Sequence, residues 1–219
     1  MILDGIIVSL KVVTIAVLIT FLIALFAAKF IDTRKNKLGK ILEFLIILPM
    51  FIPPSAIGYL ILLTLGRNSF LGNILEEVFD ISIIFTITAA IIAAVVVTIP
   101  IMYQSIKNGI KSIDKDIVSA AKVDGAGDFE IFVKIIIPLA SRGIISGILL
   151  SFARAFGEFG ATILVAGNIP GKTQTLPMAL YYTMETNNTD EAMKILIIIL
   201  AIGTFLMSTY SYISSKLEN

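Results

Sequence analysis

Two stretches of the sequence combine residue types and spacings that could do chemistry. Residues 166–173, AGNIPGKT, place a small residue, four spacers and then Gly-Lys-Thr, which is the spacing of a phosphate-binding loop. Arg154 and Glu158 are four residues apart inside an apolar segment, so their side chains could pair on one helix face. The first pattern is typical of nucleotide-binding proteins, whereas charged pairs in apolar helices are typical of polar paths through membranes.

The composition limits the chemistry and indicates a membrane protein. The 219-residue chain has no Cys and no His, which excludes thiolate nucleophiles, disulfides and the commonest general base. Hydrophobic residues make up 57% of the chain, and the mean hydropathy of +0.97 is that of an integral membrane protein. The net charge of +1 gives no reason to expect nucleic acid as a partner. Carboxylates, lysines and hydroxyls remain, so the composition does not exclude catalysis, but we expect no catalytic residue and no metal site.

Apolar runs of about 20 residues predict the membrane spans. Five runs qualify, at residues 6–30, 44–65, 81–103, 135–165 and 195–213. The first run follows Asp4 and is too long for a signal peptide, so we expect it to be retained. The fourth run carries Arg142, Arg154 and Glu158, which favours one span with a polar-lined extension.

Prolines and one short polar segment modify this pattern. Pro49, Pro53 and Pro54 lie in the second run and predict kinks there. Residues 173–186 are too short and polar to cross a membrane, and predict a short helix that either dips part-way in or lies at the surface. The sequence therefore predicts an all-α membrane protein with five transmembrane helices and a possible short partial sixth.

The basic connections predict the orientation, because cytoplasmic loops are enriched in Lys and Arg. Two connections are basic, with charges at Lys29, Arg34, Lys35, Lys37, Lys40, Lys107, Lys111, Lys115, Lys122 and Lys134. The connection between the second and third spans has only Arg67 among acidic residues. We therefore expect a multi-pass protein of the cell (plasma or inner) membrane, with the N-terminus outside and residues 216–219 in the cytoplasm.

This orientation removes the nucleotide interpretation of residues 166–173. These residues follow the fourth span and are predicted to lie outside, where there is no ATP. The segment before them is predicted to be a membrane helix rather than a strand, and Pro170 stands where a free N–H would be needed. The match to a phosphate-binding loop is therefore a coincidence of spacing.

The second basic connection, about residues 104–134, is long enough to have a structure of its own. A short amphipathic helix is predicted to begin near Asp114 and to end at Gly125 and Gly127. A second short helix, starting at Asp128, would expose Phe129 and Phe132. The pattern alone leaves two alternatives: a compact two-helix knob, or a surface helix resting on lipid headgroups.

The same connection resembles the cytoplasmic signature of permease subunits of bacterial and archaeal ATP-binding-cassette (ABC) importers. That signature reads Glu-Ala-Ala, three residues, Gly, nine residues, then Ile-x-Leu-Pro. This chain keeps the spacing but has Ser119 in place of the glutamate and Ile137 in place of the leucine. The resemblance assigns coupling to an ATPase to Ser119, Ala120, Ala121, Asp124, Gly125, Phe129, Ile135, Ile137 and Pro138.

The resemblance also implies the assembly. Residues 1–219 would form a single transmembrane permease domain, with the coupling loop at about 104–138. Two copies would pair around one pathway, two ABC ATPase subunits would dock on the cytoplasmic side, and an external oxyanion-binding protein would deliver the substrate. The chain would not be an enzyme and would bind no cofactor, because ATP and Mg²⁺ would be held by the ATPase subunits. Membrane lipid would surround the dimer.

Residues 151–177 carry a narrower resemblance, to molybdate and tungstate importer permeases. Residues 168–175, NIPGKTQT, favour that branch over sulfate and thiosulfate permeases, which share only the preceding core. The alternatives are a sulfate or thiosulfate permease, and, in a different class, a self-contained secondary transporter or channel. The sequence shows no internal repeat and no buried acid array that would favour the latter class.

The charged and small residues of this segment are the candidates for the translocation path. Arg154, Gly157, Glu158, Gly160 and Thr162 could line or gate a path for a dianion. In the alternative interpretation the ion pair only locks helices together, and the glycines only permit close packing.

Overall fold

The computed structural model describes residues 2–33 and 37–218, and each regular element within them is helical. Arg34 and Lys35 of the first basic connection, and Asn219, lie outside the described residues. The helices are α1 Ile2–Thr33, α2 Lys37–Ile47, α3 Pro54–Leu65, α4 Phe70–Phe79, α5 Ile87–Lys111, α6 Lys115–Val123, α7 Asp128–Ile131, α8 Ile137–Leu139, α9 Ser141–Phe156, α10 Gly160–Ala166, α11 Leu176–Glu185 and α12 Thr189–Glu218. A 3₁₀ turn, Leu48–Phe51, follows α2, and a π-helical turn, Phe132–Ile136, joins α7 to α8. The predicted all-α architecture is confirmed.

Helices α1, α5 and α9 form the centre of the bundle. Small side chains lie between them, and Ala16, Ala24 and Ala89 are completely buried. The hydroxyls of Thr20 and Thr98 form a buried hydrogen bond of 3.1 Å between α1 and α5. Helices in a membrane associate through close packing and interhelical hydrogen bonds, because lipid tails are as apolar as the side chains. Alanine and threonine therefore allow close approach of these helices, beside larger buried side chains of α5 such as Met102 and Ile106.

Within the described residues, three straight helices are long and apolar enough to cross a membrane: Ile2–Ile31, Ile87–Lys111 and Thr189–Lys216. Two further candidates are bent pairs. Lys37–Phe51 and Pro54–Leu65 are bent by 118°, and Asp128–Leu139 and Ser141–Phe156 by 68°. The predicted number of five is reached when each bent pair counts as one span.

The second span differs from the kinked helix that its prolines predicted. Proline lacks an N–H, and a residue that precedes proline avoids the helical conformation. Pro53, which precedes Pro54, is accordingly extended, with ψ of 136°, and separates α2 from α3. The prolines therefore make two helices with a sharp turn rather than one kinked helix.

The bent pair nevertheless connects the two ends of the bundle. Glu43 on α2 forms an ion pair with Lys107, near the last turn of α5. Leu62 on α3 shares a cavity with Phe85, which lies just before α5 begins. Because these contacts lie at opposite ends of α5, α2 and α3 together extend along its length.

The third span begins at Ile87 rather than at residue 81 and continues to Lys111. Asp80 and Phe85 have φ of 52° and 63°, in the left-handed region that a right-handed helix cannot include. The Phe85 N–H donates instead to the Val165 carbonyl at 2.8 Å. Hydropathy predicts an apolar run, but it does not detect such a change of backbone conformation.

The polar segment before the last span forms α11, which packs into the bundle. Leu176, Met178 and Ala179 are buried, and the Leu176 N–H donates to Ser9 Oγ of α1 at 2.8 Å. The structure therefore places α11 against α1 and α12. Whether this packed helix dips part-way into the membrane or lies at its surface stays a prediction.

We expect Gly143→Ala to destabilise the crossing of α5 and α9. A Cβ at Gly143 would lie 2.6 Å from the Ser105 carbonyl oxygen and 2.7 Å from Gly109 Cα, so the backbones would have to separate. Overpacking of this kind costs about 2 kcal/mol, which corresponds to a fall of about 4–8 °C in the melting temperature of the purified chain. Gly203→Ala is the control, because no heavy atom lies within 4 Å of its Cβ position. Equal melting temperatures for the two variants would contradict the close crossing.

Candidate functional site

Helix α6 begins and ends where the sequence predicts. The Asp114 carboxylate accepts a hydrogen bond from the Asp116 N–H at 2.9 Å and caps the helix. Asp124 follows the last helical residue, and Gly125 then has φ of +87°. The second helix, α7, begins at Asp128, also as predicted. We name residues 114–139 the coupling segment.

The second half of the coupling segment differs from its prediction. From Asp128 the chain remains helical through the π-helical turn to Leu139, and so leads directly towards α9. Phe129 is 72% exposed, as predicted, but Phe132 is only 6% exposed and belongs to the core. The predicted exposure of Phe132 is therefore wrong, and the second helix does not stand apart from the membrane, because α7 is the start of the bent fourth span.

Helix α6 exposes some of its apolar residues, while Val118 and Ala121 are half-buried. Ile117 and Val123 are 45% and 87% exposed, and Ala120 is exposed beside them. Ser119 bonds within its own helix, since its Oγ donates to the Lys115 carbonyl at 2.9 Å. A small-residue apolar side on a projecting helix is suited to contact with another protein or with lipid headgroups.

The remaining residues of the signature lie at the bend that follows. The Ile137 N–H donates to the Phe132 carbonyl, five residues back, and Pro138 has no N–H to donate. Ile135 and Ile137 are half-buried and Pro138 is exposed. These residues therefore shape the connection to α9 rather than the projecting surface.

An exposed ion pair lies along the same bend. Lys134 Nζ lies 2.7 Å from Glu130 Oε1, four residues earlier. Both groups face solvent, so the pair contributes little to stability.

Arg154 and Glu158 do form an ion pair, but they do not lie on one helix. Helix α9 ends at Phe156, and Glu158 lies in the break before α10. Arg154 Nη1 donates to Glu158 Oε2 at 2.6 Å, and the Ala161 N–H donates to Glu158 Oε1 at 2.8 Å. The Glu158 side chain is 2% exposed and that of Arg154 is 33% exposed. Glu158 therefore joins the two helices. Its carboxylate pairs with the Arg154 guanidinium near the end of α9 and accepts a hydrogen bond from the Ala161 N–H at the start of α10.

The neighbouring candidates surround this junction in different ways. A Cβ on Gly160 would lie 3.3 Å from Pro54 Cβ, so this glycine permits close approach of α10 to α3. A Cβ on Gly58 of α3 would lie 2.8 Å from Ala161 Cα of α10, so Gly58 also permits the close approach of these two helices. Gly157 has no such neighbour nearer than 3.8 Å, and Thr162 is buried. Close packing thus explains Gly160 but not Gly157.

Residues 166–173 form a turn in which several N–H groups and the Thr173 hydroxyl already bond within the turn. The segment before them is α10 rather than a strand. The N–H groups of Lys172, Thr173 and Gln174 all donate to the Ile169 carbonyl. Thr173 Oγ1 donates to the Gly167 carbonyl at 2.9 Å. The Thr173 hydroxyl and the N–H groups of Lys172 and Thr173, which a phosphate-binding loop would use, are therefore engaged within the turn.

We expect Lys172→Ala to leave ATP hydrolysis by an assembled transporter unchanged within about twofold, as for an ordinary surface substitution. The measurement is phosphate release by the complex in liposomes. Replacement of the phosphate-loop lysine in the ATPase subunit provides the comparison. A loss of hydrolysis by Lys172→Ala as large as in that variant would contradict the assignment of residues 166–173.

Two long-range contacts of charged residues were not predicted. Lys29 of α1 lies over the rings of Phe129 and Phe132, and Glu43 pairs with Lys107. Residues so far apart in sequence carry no local signal of contact. Among the described residues, no three His, Cys, Asp or Glu side chains come together in a way that could hold a metal ion.

Comparison with known proteins agrees with these features. Residues 16–218 match the family model described as "Binding-protein-dependent transport system inner membrane component". YvgM of Bacillus subtilis (strain 168) is 41% identical over 203 residues, which are 92% of this chain and 88% of YvgM. ModB of Escherichia coli (strain K12), a molybdenum transport system permease protein, is 39% identical over 184 residues, 84% of this chain and 80% of ModB. The sulfate transport system permease protein CysW of Synechococcus elongatus is also 39% identical, but over 69% of this chain and 53% of CysW.

The fold is also that of a solved transporter. A chain of the MetNI methionine ABC transporter, crystallised in inward-facing conformations, matches with a TM-score of 0.76 and 16% identity over 98% of this chain and 95% of that one. At that identity the likeness concerns the fold alone. The family match and the relatives above show that the chain belongs to the binding-protein-dependent transport system inner membrane components.

Proposed function

We propose that this chain is the permease subunit of an ABC importer that carries molybdate into the cytoplasm. The assignment of molybdate as the substrate rests on the similarity to ModB over most of both chains. The match to the sulfate permease is shorter. The chain is a transport subunit and not an enzyme. ATP and Mg²⁺ belong to separate ATPase subunits, and this chain binds no cofactor itself.

Tungstate is a second candidate substrate, because it has the same charge and tetrahedral shape as molybdate. The residues of the candidate path cannot distinguish the two dianions by charge. Sulfate, which is smaller, remains an alternative substrate, because the more distant relative CysW is a sulfate transport system permease protein. The choice among the three is expected to be made largely by the binding protein that delivers the anion.

The proposed assembly pairs two copies of this chain around one path. Five spans do not readily enclose a path alone. Two ATPase subunits would dock on the coupling segments, where α6 projects with part of its apolar surface exposed. A binding protein would dock at the opposite end, and lipid would surround the remaining apolar surface.

Contacts between loops support the proposed orientation. Lys29 at the end of α1 touches Phe129, which puts the two basic connections at one end of the bundle. Ser9, near the start of α1, bonds to Leu176 at the other end, beside the loop of residues 166–175. Basic loops at one end and the N-terminus at the other are what the positive-inside rule requires. The N-terminus is therefore proposed to lie outside and the C-terminus in the cytoplasm.

The candidate path passes the junction at Arg154 and Glu158. Arg154 is partly exposed, so one side of its guanidinium can meet an anion while the other side pairs with Glu158. A dianion that competes with Glu158 for Arg154 would loosen the junction between α9 and α10. Arg154, Gly157, Glu158, Gly160 and Thr162 are proposed as residues that line or gate the path.

The test is elemental uptake by intact cells. The gene is deleted, the cells are grown in nanomolar molybdate and tungstate, and Mo, W and S are quantified by mass spectrometry. We expect Mo to fall with S unchanged, and the wild-type gene on a plasmid to restore it. A fall in W alone would change the substrate to tungstate, and a fall in S would move the protein to the sulfate branch. Transport that persists without the ATPase gene would instead favour a self-contained transporter or channel.

A further inference from the structure

Lys29 connects the first span to the coupling segment. It lies in the last two turns of α1, and its Nζ is 4.4 Å from the centroid of the Phe132 ring and 5.0 Å from that of the Phe129 ring. Both distances are within the range of a cation–π interaction. The two rings belong to α7 and to the first residue of the π-helical turn. A single ammonium therefore contacts both sides of the point where α7 changes its helical form.

The way in which α6 is attached to the bundle makes the contact of Lys29 with the two phenylalanine rings important. A cavity of about 320 Å³ and a second of about 330 Å³ lie beneath α6, and Val118 and Ile136 line both. The second cavity also has Lys29 and Phe132 in its wall. Space for movement therefore exists between α6 and the ends of α1 and α5.

The direct link between α6 and the rest of the segment is short. Lys122 Nζ lies 3.1 Å from Asp128 Oδ1, across the turn that contains Gly125. Asp128 is the first residue of α7, and Phe129 is the next. A movement of α6 can therefore reach α7 through this exposed ion pair and along the chain, and from α7 it can pass to α9 along the chain or to α1 through Lys29.

We propose that Lys29 is a positioning residue that ties α7 to α1, so that a movement of α6 is passed to the first span as well as to α9. The proposal rests on the proposed function, in which an ATPase subunit moves α6. Lys29 touches neither the substrate nor the ATPase in this arrangement. It acts through the rings of Phe129 and Phe132.

The test compares Lys29→Met with Lys29→Arg in the assembled transporter in liposomes. Methionine keeps the length and apolar stem but has no charge, whereas arginine keeps the cation–π interaction. Molybdate uptake and ATP hydrolysis are measured together in the presence of the binding protein. We expect Lys29→Met to lower the number of anions imported per ATP by about fivefold to tenfold, the factor for losing two cation–π contacts. Lys29→Arg should restore most of this ratio.

Lys11→Met is the matched control, since Lys11 lies on the same helix and is exposed. It should leave the ratio unchanged. A wild-type ratio for Lys29→Met, or an equal loss for Lys29→Arg, would overturn the proposal. A Lys29→Met/Phe132→Leu double variant should lose no more than the worse single variant, and additive losses would also count against the contact.

A second measurement does not depend on the substrate. Hydrogen exchange of the amides of residues 129–136 is followed in the purified complex. Lys29→Met should exchange faster than wild type, and Lys29→Arg and Lys11→Met should not. Equal protection in all four proteins would overturn the contact even if transport changed. If the wild-type transporter imports no molybdate, the proposed function fails, while this comparison still tests Lys29.

Discussion

Replacing Glu158 by alanine is expected to lower the melting temperature of the purified chain by about 6–12 °C. The substitution removes the partner of Arg154 and the acceptor of the Ala161 N–H at once. Breaking a buried ion pair by removing one partner costs about 3–5 kcal/mol, and the partial exposure of Arg154 places this case at the lower end. The measurement is thermal unfolding by circular dichroism in detergent.

Two further variants separate the contributions of Glu158. Glu158→Gln keeps an oxygen that can accept from Ala161 but has no charge, so we expect about half of the loss. Arg154→Ala leaves the carboxylate buried without its cation, and should destabilise more than Glu158→Gln. Glu191→Ala is the control, because Glu191 is half-buried in the first turn of α12, and the Asn188 side-chain amide that donates to it is exposed.

The same variants decide between the two interpretations of the ion pair. If the pair only locks α9 to α10, uptake should fall in proportion to the amount of folded transporter. If Arg154 meets the anion, Arg154→Lys should fold well and still lose uptake, because lysine cannot hold Glu158 and a dianion in the same planar arrangement. A wild-type melting temperature for Glu158→Ala would contradict the structural role of Glu158.

Some helix ends could be predicted from the sequence, but the turns that set the directions of successive helices could not. The bounds of α6 follow from Asp114, whose side chain caps the helix, and from Gly125, which ends the following turn. By contrast, residues 44–65 are uniformly apolar, and their hydropathy contains nothing about the 118° turn at Pro53. The start of α5 was missed for a similar reason, because left-handed residues such as Phe85 have no hydropathy signal.

The candidate site, too, was predictable from the sequence only in part. The four-residue spacing of Arg154 and Glu158 predicted their pairing, but not the helix break between them or the hydrogen bond from Ala161. The amphipathic pattern predicts that Phe132 is exposed, but it packs in the core under Lys29 of α1, a long-range contact with no local signal. Lys29 was counted only as a loop charge, because its partners lie on a helix far along the chain.

Gly125→Leu is expected to uncouple ATP hydrolysis from uptake. Gly125 has φ of +87°, a conformation that costs other residues about 1–2 kcal/mol. No heavy atom lies within 4 Å of the position of its Cβ, so the effect would come from the backbone and not from a clash. If the turn changes its conformation, α6 no longer projects in the same direction from α7. We expect uptake per ATP to fall about tenfold, and the melting temperature to fall by about 2–8 °C, as this strain implies.

Gly127→Leu is the matched control for this prediction. Gly127 lies in the same turn and also has open space at its Cβ, but its φ is −71°, which leucine adopts without strain. Gly125→Asn should be milder than Gly125→Leu, because asparagine tolerates the left-handed region. Equal losses from the two leucine variants would mean that bulk at the docking surface, rather than the backbone turn, controls coupling. Intact coupling in Gly125→Leu would show that the direction of α6 relative to α7 is not what transmits ATPase movement to the membrane helices.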